Sequence, residues 1–145
     1  MLGREYPWEN CSIARALEIV GERWSLLILR DALLRGMTQF SEFEASLGIA
    51  SNVLASRLSR FVAEGLLLQG GNRYRPTVKA LDLVPVLLAL TQWGDTWAAP
   101  NGAPVVYQTT GTGPLRVEIL GGDGHPIDPR QTEVIAGPGP GSRSA

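Results

Sequence analysis

Between Phe40 and Pro76 the chain is interrupted by glycine at Gly48, Gly65 and the pair Gly70-Gly71. These stops leave room for a short helix, a tight turn, a longer helix and a β-hairpin, and for little else. Thr38-Gln39-Phe40 leads into Ser41-Glu42-Phe43-Glu44, where Ser41 and Glu44 have capping-box spacing, so a short helix is expected from there to Gly48. Gly48-Ile49-Ala50 reads as the turn, and Ser51 as the cap of a helix running to Glu64, with Gly65 as its stop. Leu66 to Gln69 and Arg73 to Pro76 read as two strands around Gly70-Gly71-Asn72. The order is that of a helix-turn-helix followed by a wing.

The longer helix carries the functional argument. At 100° per residue, Leu54, Leu58, Phe61 and Val62 share the side that faces a core. Asn52, Ser56, Ser59, Arg60 and Ala63 share the other, with Val53 and Arg57 at its edge. Short outward side chains let a backbone approach a groove, and Asn or Arg can reach base edges or phosphates. A solvated surface helix carries interspersed Glu and Lys instead; this one has no Lys and only Glu64, at its end.

The net charge of −1 argues against a generally basic binder, but it averages over unlike blocks. Residues 50–80 hold Arg57, Arg60, Arg73, Arg75 and Lys79 against Glu64 alone, a local basic patch of the kind a DNA-binding face needs. The candidate DNA-binding residues are therefore Ser51, Asn52, Val53, Ser56, Arg57 and Arg60 on the helix, Arg73 and Arg75 on the hairpin, and Lys79 just beyond it. Arg60 is expected to meet a guanine, and Arg73 a phosphate.

The rest of residues 1–99 reads as helical. Asn10 can cap a helix starting at Cys11 and ending at Gly21; Trp24 to Leu34 is apolar nearly all round, as a central core helix is. Thr77 can cap a last helix reaching Trp93 or Trp97, in which Pro85 predicts a kink or a late start. That helix is too apolar for a monomer's surface, so Trp8, Leu87, Leu90, Trp93 and Trp97 are candidate dimer-interface residues. Beyond Pro100, glycine and proline dominate. Val105 to Thr110 and Leu115 to Leu120 read as short strands, so residues 100–136 are expected to form a small β-rich extension and residues 137–145 a disordered tail. The fold class expected is mainly α with a small β-hairpin: a winged helix-turn-helix over 1–99, with that extension behind it.

Catalysis is not indicated. No Ser-His-Asp set, phosphate loop or metal-ligand cluster is present, and His125 stands alone in a Gly-Asp-Gly-His-Pro loop. No cofactor or metal is expected. The single cysteine permits no intrachain disulfide, the first eleven residues lack a signal peptide's apolar stretch, and the apolar run Leu83 to Leu90 is too short to span a bilayer. A cytoplasmic protein without a membrane partner is expected. Cys11, in the first turn of its helix with Arg15 one turn on, admits two readings: an oxidant-sensing thiol, or a buried packing thiol.

Residues 11–94 resemble the HxlR-type winged-helix regulators, a MarR-like family. The matching stretches are Cys11 with Ala16-Leu17; Gly21-Glu22-Arg23-Trp24 followed by Leu27-Ile28-Leu29-Arg30; Phe40-Ser41-Glu42-Phe43; Ile49-Ala50-Ser51-Asn52-Val53-Leu54; Arg57-Leu58; Glu64-Gly65-Leu66; and Leu83 to Leu88. The resemblance implies a homodimer held by the first and last helices, bound to a double-stranded DNA operator with the fourth helix in the major groove. It also implies oxidant or electrophile sensing at Cys11, and a small effector fits the same scheme. Two departures stand out. The wing is shorter than in most such proteins, and the tail has Gly, Thr and Asp where some members carry zinc-binding thiols. The competing expectation is a winged-helix module for protein–protein contact alone, which the arginines of residues 50–80 disfavour.

Overall fold

The computed structural model describes residues 5–7 and 9–139. Trp8 and residues 140–145, part of the expected tail, lie outside the described residues. The elements run α1 (Ser12–Val20), α2 (Ser25–Leu34), α3 (Phe40–Leu47), α4 (Ser51–Ala63), β1 (Leu67–Gly70), β2 (Arg73–Pro76), α5 (Val78–Leu81) and α6 (Val84–Trp97). The extension adds only the two-residue pair β3 (Gln108–Thr109) and β4 (Gly113–Pro114), and a 3₁₀ turn at Pro129–Gln131. This is a winged helix-turn-helix.

The core forms where the apolar stripes of α2, α3 and α4 converge. Ile28, Leu29, Phe43, Leu54, Leu58, Phe61 and Leu67 are fully buried there. α2 sits in the middle, as its all-round apolarity requires. Its one charged core residue, Asp31, is also fully buried. Its carboxylate accepts from Arg30 Nε at 2.8 Å and from Ser46 Oγ of α3 at 2.7 Å, and Arg35 lies 3.4 Å away. A buried carboxylate is tolerable only when so paired, and here the pairing ties α3 to α2.

Several local expectations are corrected. Cys11, not Asn10, is the N-cap of α1 and makes no side-chain cap bond. α3 begins at Phe40, so the acid at its third position is Glu42 rather than Glu44. Glu42 accepts from the backbone N–H groups of Thr38 at 2.7 Å and Gln39 at 2.8 Å. Glu44 instead accepts from the Ser51 hydroxyl, across the turn. Ser51 is the first residue of α4, with Ala50 as its cap. Pro85 produces the late start: Thr77 caps α5, whose four residues end at Leu81, and α6 begins at Val84 with the proline in its first turn. The strands expected over 105–110 and 115–120 shrink to Gln108–Thr109 and an isolated bridge from Leu120 to Pro126.

The hairpin pairs Leu67 with Pro76 through Gly70 with Arg73, closed by Gly71 at φ +61° and Asn72. Its outer edge is not free. Tyr74 N–H donates to the Thr38 carbonyl at 2.7 Å, and Gln39 bridges Arg73. The segment before α3 thus acts as a third strand and anchors the wing to the helix-turn-helix.

Candidate nucleic-acid interface

The turn between α3 and α4 is set by Gly48, in the left-handed region at φ +58°, with its N–H on the Glu44 carbonyl. Ile49, buried beside it, fixes the start of α4 against the core. With Leu54, Leu58 and Phe61 turned inward, α4 presents Ser51, Asn52, Ala55, Ser56, Ser59 and Ala63 to solvent. Every one of these side chains is short, so the helix surface is narrow enough for close approach to a groove, and Asn52 is the one carrying an amide.

The arginines of α4 do not share that exposed face. Arg57, at 11% side-chain exposure, is ion-paired with Glu22 in the segment joining α1 to α2. Arg60, at 24%, donates to the Glu18 carbonyl of α1 and lies 4.0 Å from Glu64. The wheel put Arg60 outward and Arg57 at the edge; it could not show acceptors on α1 and on the α1–α2 segment that draw both guanidiniums back. Val53 is half-buried and packs on the core.

On the hairpin, Arg73 is exposed and donates to the Thr38 hydroxyl at 2.9 Å. Its charge also helps hold the Glu42 carboxyl below the ordinary glutamate range, after the larger effects of the Thr38 and Gln39 N–H groups. Arg75 is exposed at the β1–β2 register opposite Leu68. Lys79, expected to reach a phosphate, sends its ammonium to the Glu64 carbonyl at 2.6 Å, where it caps the C-terminal end of α4.

The candidate interface residues divide as well. Leu90, Trp93 and Trp97 are exposed at 49%, 63% and 75% on α6, and on α1 Ile13 is likewise uncovered. Leu87 is corrected: at 6% exposure it belongs to the protomer's own core. Cys11 is exposed in the single protomer, not buried in its core. Arg15 is engaged elsewhere, with Glu18 at 2.8 Å and the Glu9 carbonyl at 2.7 Å.

Sequence reasoning missed the seat of the extension. Gln92 of α6 receives the Val117 N–H at 3.2 Å on its amide oxygen and donates to the Val117 carbonyl at 3.4 Å. Beside this clip lies an open cleft of about 420 Å³, lined by Leu88, Asp95, Val105, Tyr107 and Arg116 among others. Among the described residues no group of His, Cys, Asp and Glu could hold a metal ion, and no helix is long and apolar enough to cross a membrane.

Comparison with known proteins agrees with this geometry. The HxlR-like helix-turn-helix family matches residues 19–102. Rv3095 of Mycobacterium tuberculosis strain H37Rv, named an uncharacterized HTH-type transcriptional regulator, is 39% identical over 108 residues, which is 69% of this chain and 68% of its own. Among solved structures, PA1607, described as a candidate transcription factor, superposes with a TM-score of 0.76 at 38% identity, covering 87% of this chain and 94% of its own. Quinone-bound YodB of B. subtilis superposes at 0.53 with 27% identity, over 60% of this chain and 99% of its own.

Proposed function

Since this chain belongs to the HxlR-like helix-turn-helix family of transcriptional regulators, we propose that it acts as a homodimer that recognises a specific duplex operator through the exposed face of α4. One observation carries the reading: the fully exposed positions of α4 are Ser51, Asn52, Ala55, Ser56, Ser59 and Ala63, all short, while Arg57 and Arg60 are drawn back and only partly exposed. A helix that buried its apolar side merely to complete a fold has no need of an outer surface this short. On this reading Asn52, Ser56 and Ser59 meet base edges, and Asn52 favours adenine, whose N6 and N7 match an amide. Arg75 and Arg73 meet phosphates beside the groove. A protein-contact module is disfavoured because nothing on that face is large or apolar enough to anchor a partner.

Selection of binding sites from random duplex DNA tests the proposal. An inverted repeat is expected, with half-sites about one helical turn apart, or a small multiple of it. Enrichment of no sequence would refute operator recognition. Arg75→Ala should weaken binding to operator and random DNA alike and lower the salt slope by about one unit.

A second reading concerns control. Cys11 is exposed at the start of α1, next to the uncovered Ile13, and the likeness to quinone-bound YodB suggests an electrophile as the signal. A quinone should then change operator affinity in the wild type and leave Cys11→Ser unaffected. The cleft beside Gln92 offers a separate volume for a small effector.

A further inference from the structure

We infer that Arg57 and Arg60 are positioning residues: they hold α4 in its reading pose against α1 and the α1–α2 segment and do not touch DNA. This rests on the reading of α4 as the recognition helix. A guanidinium on such a helix is ordinarily counted as a DNA contact, and both were so expected from their spacing. The structure gives them other work.

Arg57 is ion-paired with Glu22, thirty-five positions earlier in the chain. It is nearly covered, and its Nε is buried with no partner among the described residues. To reach a phosphate it would have to break this ion pair and leave its own largely covered site. Arg60, one turn along on the same edge, donates to the Glu18 carbonyl in the last turn of α1, where a cation is also favoured by the helix dipole. Two guanidiniums at i and i+3 thus grip both sides of the α1–α2 junction, next to Gly21. The backbone is closely packed at that point: a Cβ on Gly21 would stand 2.5 Å from the Leu17 carbonyl oxygen, so the position has no room for a side chain.

The consequence is a direct mechanical link. On α1, Ile13 and Leu17 are 71% and 42% exposed. Whatever covers or shifts α1 acts on α4 through these two side chains, in addition to the core contact that Val20 of α1 supplies. The rotation of α4 about its axis decides which of Asn52, Ser56 and Ser59 reach base edges, so the link governs base preference more than overall affinity.

The test uses the full-length protein, the operator from random-duplex selection and a scrambled duplex of equal length. Affinities are measured by fluorescence anisotropy across a salt series for the wild type, Arg57→Gln, Glu22→Gln, the double variant and Arg60→Met. If the residues position α4, Arg57→Gln and Glu22→Gln each lower the operator-to-scrambled affinity ratio by about tenfold, the worth of one misplaced base contact. The double variant loses no more than either single, and the salt slope stays at the wild-type value in all of them. Removing an acid that repels DNA would otherwise strengthen binding, so weaker discrimination in Glu22→Gln is the discriminating sign. A fall of about 0.9 in salt slope for Arg57→Gln or Arg60→Met would show phosphate contact and overturn the inference. Glu22→Gln with unchanged or tighter operator binding would overturn it too. A loss of thermal stability with an intact affinity ratio would reduce the pair to an ordinary structural bridge, and equally overturn it. Failure of the wild type to select any operator is a different result, and refutes the reading of α4 itself.

Discussion

α4 and α6 are nearly equal in length, thirteen and fourteen residues, yet they treat their apolar side chains in opposite ways. α4 buries Leu54, Leu58 and Phe61 completely and shows solvent only short residues. α6 buries Leu87 alone and leaves Val86, Leu90, Trp93 and Trp97 substantially uncovered. The first helix has its whole hydrophobic partner inside the protomer. The second does not, and two exposed tryptophans one turn apart are costly for a monomer. On the proposed function the contrast separates two jobs: α4 is oriented by its own chain so that its polar face can read, whereas α6 presents an uncovered apolar surface for a second copy to meet.

The largest expected effect tests the α4 half of this contrast. Phe61→Ala should destabilise the fold by about 3–5 kcal/mol, because removing a fully buried ring leaves a cavity in the core. Chemical denaturation measures it. Trp97→Ala, measured on dilute protein, should stay within about 0.5 kcal/mol, since that ring is three-quarters exposed. Equal losses would erase the distinction between the two helices.

The next effect concerns assembly. Trp93→Ala combined with Leu90→Ala should weaken self-association by about 2 kcal/mol or more, roughly thirtyfold in dissociation constant, as loss of an aromatic anchor does. Sedimentation equilibrium reads this directly. A wild type that remains monomeric at micromolar concentration would refute the proposed role of α6.

A smaller effect isolates the turn that aims α4. Gly48 lies at φ +58° with open space around its α-carbon, so Gly48→Ala should cost about 1–2 kcal/mol from backbone conformation alone. Gly94, in the last turn of α6, also has nothing within 4 Å of an added Cβ but lies in helical backbone. Gly94→Ala should therefore stabilise the protomer by about 0.5–1 kcal/mol. Opposite signs from one chemical change would confirm that the two glycines serve different ends.

The order of elements was legible because glycine stops and apolar periodicity act locally. Gly48, Gly65 and Gly71 fall where the helix ends and the hairpin turn fall, all three at positive φ. What was not legible depends on distant partners. Arg57 meets an acid thirty-five positions away, and no helical wheel contains Glu22. The pairing of Thr38 and Gln39 with β2 was hidden because two residues carry no strand periodicity. The strands expected around Val105 and Leu115 have the alternation of strands but little sheet to join, so pairing stops after two residues. At α3, Ser41 with Glu44 and Gln39 with Glu42 have the same spacing. Burial of Phe43 against the core decides between them, and that is a property of the packed structure.

The smallest expected effect follows from that last choice and bears on how firmly the wing is held beside α4. Glu42 is held below the ordinary glutamate range first by the Thr38 N–H, then by the Gln39 N–H, against an opposing effect of burial, with Arg73 adding the least. A carboxylate with a depressed folded pKa stabilises the fold at pH above its unfolded value. That contribution fades as pH falls through the folded value, since protonation then removes the acceptor. The Glu42 carboxyl is solvent-exposed, so the effect on global stability is screened and slight. Its local signature should be clearer. Exchange of the Thr38 and Gln39 amide protons, followed by NMR, should quicken relative to the base- and acid-catalysed intrinsic rate as pH drops below the ordinary glutamate range. Glu42→Gln should remove that pH dependence while leaving the amides of α6 unchanged. A pH response at α6 of the same size would mean that acid acts on the whole fold, and the wing would then owe its placement to the core rather than to Glu42.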